Sequence, residues 1–137
     1  VALMQNNMAA LYTKLGNLSQ AEIMLEAALD YRLETCQPKS LELAGIYINY
    51  YQLAFVKHDY ESALEYARRC LRSAYFAYGK QNLFYGQALM AIGDVYCHTD
   101  DFAKAAQCWN QAQLSLKGVI SPKHPTWIKL LGRQRLA

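Results

Sequence analysis

The chain has 137 residues, 53% of them hydrophobic and 18% charged, with a formal net charge of +3. That is ample apolar material for one continuous core and excludes a disordered segment, and the mild excess of base falls far short of the dense Lys/Arg patch of a nucleic-acid binder. No apolar run approaches the ~18 residues that span a bilayer, and no basic start with a cleavage site opens the chain.

Apolar residues recur at three- and four-residue spacing, as at Met8, Tyr12 and Leu15 and then Ala21, Leu25, Ala28 and Leu29, which is the period of a helix. The first helix is expected over 2–15. It is already in mid-pattern at Val1 with no capping residue ahead, as expected of a piece of a longer protein. Gly16 supplies a permissive backbone, Asn17 caps a second helix over 18–35, and Gln20 completes a capping box. After the linker CQPKS at 36–40 come helices at 41–57 and 60–78, with Asp59 as cap. YGKQN at 78–82 leads to helices at 82–98 and 102–117, capped at Asp101, and GVISPKH at 118–124 leads to a last helix over 125–135. Pro38, Gly79, Gly118 and Pro122 punctuate these linkers because none continues a helix comfortably.

The helices repeat as pairs. Asn17-Leu18, Asp59-Tyr60 and Asp101-Phe102 stand 42 residues apart, and the rest of the pattern keeps that period. Small residues recur at Ala21, Ala63 and Ala105 and at Ala28, Cys70 and Ala112, while a core position of the second helix reads Leu25, Ala67, Trp109. The preceding helix carries a small site at Ala9 and Gly93 and an aromatic site at Tyr12 and Tyr96. The middle copy departs, with Tyr51 at the small site and Ala54 at the aromatic one, which predicts local repacking at conserved volume. A hairpin of this kind cannot bury its apolar stripe alone, so hairpins stack. The expected fold is all-α: a right-handed superhelix of three antiparallel helix pairs, at about 1–40, 41–81 and 82–122, plus a closing helix at about 125–135. That helix should cover the last pair with Trp127, Leu130 and Leu131.

Small residues where two helices cross, an aromatic in the first helix and the Gly-Asn-Leu, Asp-Tyr and Asp-Phe turns together resemble the tetratricopeptide repeat, whose unit is usually about 34 residues. The 42-residue period resembles the longer repeat of the kinesin light chain type. Gln5-Asn6-Asn7-Met8-Ala9 is similar to that repeat's Leu-Asn-Asn-Leu-Ala core, and His124-Pro125 is similar to the His-Pro that opens its units. The resemblance implies a protein-binding scaffold whose first helices line a concave groove.

By helical spacing the inward positions are Leu3, Asn6, Asn7, Ala10 and Lys14, then Ile48, Asn49, Gln52 and Phe55, then Gln87, Met90, Asp94 and His98. A carboxamide both donates and accepts, so a row of them can hold an extended backbone whatever its side chains. Asn7 and Asn49 are 42 residues apart, while the third copy has Ala91; the resemblance implies the backbone-holding role for Asn7 and Asn49. Ile48, Phe55 and Met90 would supply apolar contacts. Lys14 is a lone groove cation, too little for a paired carboxylate clamp, and Arg68, Arg69 and Arg72 form a solvated outer face that at most favours an acidic partner. Arg133 falls in register with Asn7 and Asn49, and Arg135 stands where a small residue is needed.

No nucleophile motif, phosphate-binding loop or metal-ligand spacing appears, so no enzyme, cofactor or metal is expected. Cys97-His98-Thr99-Asp100-Asp101 reads as a helix end and cap, and His58 as a solvated end residue. Cys36, Cys70, Cys97 and Cys108 make no CxxC pair, which suits a reducing, cytoplasmic setting, and Cys70 reads as a small core residue. The leading expectation is a scaffold holding an extended peptide in the groove. The alternatives are a peptide-sensing regulatory domain and an architectural or oligomerisation module.

Overall fold

The computed structural model describes the backbone of residues 2–35 and 41–136 and the side chains of 6–33 and 42–133. Among these residues the chain is all helical: α1 Ala2–Lys14, α2 Leu18–Thr35, α3 Leu41–Val56, α4 Tyr60–Tyr78, α5 Leu83–His98, α6 Phe102–Leu116 and α7 Pro125–Leu136. The helices pair as α1 with α2, α3 with α4 and α5 with α6, and each pair packs on the next. The expected boundaries hold to within a residue. The start of α5 moves because Asn82 lies outside the helix as its cap: its Oδ1 accepts from Tyr85 N at 2.9 Å, and its Nδ2 donates to the carbonyls of Gly79 at 2.9 Å and Ala74 at 3.3 Å. Leu3, Cys36 and Arg135 lie outside the described side chains.

The turn inside each pair is built the same way three times. Gly16, His58 and Asp100, equivalent positions, all have positive φ, at 82°, 62° and 64°. The following amide then reaches back five residues, Asn17 N to Tyr12 O, Asp59 N to Ala54 O and Asp101 N to Tyr96 O, each at 2.9 Å. This closes the first helix with a left-handed residue and its long return bond. The same Asn or Asp then caps the second helix, accepting from Gln20, Ser62 and Lys104 N–H groups at 3.3–3.4 Å. His58 is thus the left-handed hinge of its turn, a role that glycine fills in the first copy.

Where the two helices of a pair cross, bulk is exchanged between them from copy to copy. The facing positions are Ala9 and Leu25, Tyr51 and Ala67, and Gly93 and Trp109, all at most 8% exposed where the side chain exists. Tyr51 therefore fills the room that Ala67 leaves. In the third copy the indole occupies the place of a Cβ: a methyl on Gly93 would lie 2.6 Å from Trp109 Nε1. The repacking expected of the second copy is real, but the compensation runs across the pair as well as along α3. Tyr50 stacks on Tyr66 with centroids 4.8 Å apart.

The last helix packs on α6. Leu130 is fully buried and Trp127 half-buried in the same cluster as Trp109 and Leu116, whereas Leu131 is 36% exposed and contributes little cover.

Candidate binding groove

The first helices of the three pairs and α7 share one wall. Between them lies an open cavity of about 670 Å³, within the range of ligand-sized pockets. Its lining follows the repeat. Asn7, Asn49, Ala91 and Arg133, each 42 residues from the next, all border it, as do Ala10, Gln52 and Asp94, and Asn6, Ile48 and Met90. Repeat-equivalent side chains project inward at matching heights because successive pairs stack in the same orientation.

Nine of the ten site residues read from sequence border this cavity: Asn6, Asn7, Ile48, Asn49, Gln52, Phe55, Gln87, Met90 and Asp94. Lys14 does not. It sits in the last turn of α1, a turn beyond Ala10, and is exposed past the rim. His98, its equivalent two copies on, also lies outside, packed edge-on to Phe55 and stacked on Tyr60 at 5.0 Å.

Two polar arrangements shape the wall. Asn49 Nδ2 donates to Asn6 Oδ1 at 2.7 Å and to Asn6 O at 3.2 Å, so this amide ties α3 to α1, and Asn6 is nearly buried at 9% exposure. Asp94 is held from two sides. Trp109 Nε1 donates to its Oδ1 at 3.0 Å from the outer helix α6, and Arg133 reaches it from α7 with Nε at 2.5 Å and Nη2 at 2.8 Å. Burial works against the Arg133 charge, but the bonds and charge of Asp94 outweigh it, so its pKa is raised. Burial, then the charge of Asp94, pushes the Tyr51 phenol well up, with Arg133 opposing. Gln87 Nε2 donates to Thr126 Oγ1 at 3.3 Å, a second tie to α7.

Sequence reasoning missed several lining residues, among them Tyr51, Phe84, Thr126, Lys129 and Arg133. The signal for three of them was present: Thr126 is in register with Phe84, Lys129 with Gln87, and Arg133 with Asn49. Lys129 has no ion-pair partner among the described residues, whereas Arg32 pairs with Glu42 and Arg133 with Asp94.

Residues 1–42 match the tetratricopeptide repeat family, a stretch one full period long. Among solved structures, BtubC from P. vanneervenii superposes over 98% of the chain with a TM-score of 0.79 at 19% identity. The N-terminal domain of stress-induced protein-1 from C. elegans superposes over 98% of this chain and 94% of that one, with a TM-score of 0.67 at 11% identity. The chain has the fold of a tetratricopeptide-repeat solenoid. It spans 57% of the length of BtubC, and no curated protein matches its sequence. Tetratricopeptide solenoids are protein-interaction scaffolds, whose small rotation per repeat creates the concave surface they use. Among the described residues no three His, Cys, Asp or Glu side chains gather to hold a metal, and no helix is long and apolar enough to cross a membrane.

Proposed function

We propose that the groove holds an extended segment of a partner polypeptide. The observation that carries this is the cavity of about 670 Å³ bordered by the repeat-equivalent carboxamides of Asn7 and Asn49 and by those of Gln52 and Gln87, with Ile48, Phe55 and Met90 among them. Asn7 and Gln52 offer donors and acceptors to a main chain regardless of its sequence, Asn49 and Gln87 add acceptor oxygens because their amide nitrogens already donate to Asn6 and Thr126, and the apolar side chains take up its alternate side chains. Asp94 is already satisfied by Trp109 and Arg133, so Lys129 is the charge that selects, favouring a carboxylate at the α7 end of the segment. The free thiols of Cys70, Cys97 and Cys108 suit a reducing compartment, the cytoplasm.

Asn49 is a poor probe of this reading, because its loss would strip Asn6 of its partner and strain the α1–α3 contact. Asn7 and Gln52 are exposed and serve better. Peptides selected from a random display library on the immobilised chain should bind Asn7→Ala/Gln52→Ala about tenfold more weakly, the loss of one or two net hydrogen bonds, at unchanged melting temperature. Undiminished binding of the selected peptides to the double variant refutes the groove assignment.

A further inference from the structure

The outer helices of the first two pairs carry opposite charges at the same repeat positions. Glu26 and Asp30 on α2 are in register with Arg68 and Arg72 on α4, and the third copy has neutral Asn110 and Leu114 there. All four charged side chains are exposed. Each row lies on one helix face, four residues apart, and begins eight residues in from its helix start at Leu18 or Tyr60. Helices α2 and α4 run parallel, each the second member of its pair, with α3 packed between them. No ion pair joins the two rows among the described residues. Among the described residues Arg68 reaches only the Tyr96 hydroxyl, at 3.4 Å, and Arg72 only Glu65, at 3.6 Å.

A surface that is acidic along one helix and basic along a parallel neighbour at equal heights complements itself under a two-fold rotation about an axis parallel to both. That rotation sets α2 of one copy over α4 of the other, Glu26 level with Arg68 and Asp30 with Arg72, twice over. The flanking positions agree. Leu33, 61% exposed, then meets Tyr75, 49% exposed. Glu61 and Glu65 of α4 meet Ser19 and Ile23 of α2, so no carboxylate opposes another. We propose that the convex face of the first two repeats is a homodimer interface, in which the acidic row of α2 docks on the basic row of α4 of a second copy.

The test is sedimentation of the full chain across the micromolar range at low and high salt. The wild type should approach dimer mass at low salt and dissociate as salt screens the rows. Arg68→Glu/Arg72→Glu and Glu26→Arg/Asp30→Arg should each weaken self-association at least about tenfold, because every contact then opposes like charges, with helical circular dichroism unchanged. An equimolar mixture of the two variants should regain dimer mass. A wild type that stays monomeric at low salt, a variant that still dimerises, a mixture that stays monomeric, or mass that climbs beyond the dimer would each overturn the proposal; an acidic partner or an anionic membrane on the basic row alone predicts the monomeric mixture.

Discussion

Replacing Gly93 by alanine places a methyl 2.6 Å from Nε1 and 2.7 Å from Cδ1 of Trp109, and 3.1 Å from the Ala105 carbonyl oxygen. Two effects compete. Alanine in a helix interior gains about 1 kcal/mol over glycine, and overpacking a filled core costs about 1–3 kcal/mol. The indole is rigid and bonded to Asp94, so it cannot swing aside cheaply, and the clash takes the upper part of its range: Gly93→Ala should lose up to about 2 kcal/mol net. Trp109→Leu alone empties the same space and should lose about 2–4 kcal/mol. Combining them installs the Ala9 and Leu25 pair of the first copy. In that background the added methyl fills a void and keeps its helix preference, so Gly93→Ala should now stabilise by about 1 kcal/mol. Urea midpoints followed by circular dichroism, with slopes compared so that a change in cooperativity is not read as a change in stability, give the four corners of the cycle. Equal cost of Gly93→Ala in both backgrounds would refute the exchange of bulk across the pair.

The fold should weaken in alkali. Burial raises the Cys70 thiol from 9.0 to about 12 and the Tyr50 and Tyr51 phenols above 10.0. The unfolded chain sheds these protons first, so stability is complete below about pH 9 and falls through pH 12, by about 1.4 kcal/mol per pH unit for each group ionised only when unfolded; urea midpoints flat from pH 8 to 11 would contradict this. Arg133→Ala leaves the Asp94 carboxylate with the indole alone and should cost about 2 kcal/mol, read as faster amide exchange through α7, and the loss should shrink when Asp94→Ala is already present. His58→Gly relieves a left-handed residue that bears a side chain and should gain about 0.5–1 kcal/mol in thermal unfolding.

The period was legible because it is written in residue size. Forty-two-residue spacing of Ala21, Ala63 and Ala105 fixes which positions are equivalent, and equivalence alone places Asn7, Asn49 and Ala91 on one wall. It does not say which equivalent positions touch. Asn49 meets Asn6 and not a free backbone because the pitch of the stack sets the neighbour, and pitch is a sum of packing choices over many residues. The exchange of Tyr51 with Ala67 and of Gly93 with Trp109 was hidden for a related reason, since each residue looks anomalous until its facing position is known. Arg133 was recognised as in register, yet its reach to Asp94 across 39 residues needed α7 to occupy the slot of a further first helix, which its arginines argued against.

The grip on Asp94 ties two jobs together. One carboxylate borders the cavity and fastens both the outer helix of the third pair and the helix that follows it. A guest that drew this carboxylate toward itself would slacken the Arg133 clasp and the indole bond in the same motion, so occupancy at the hollow would be felt as looseness at the joint where the array ends or carries on. Occupancy of the groove and the packing of α7 would then be coupled through a single side chain.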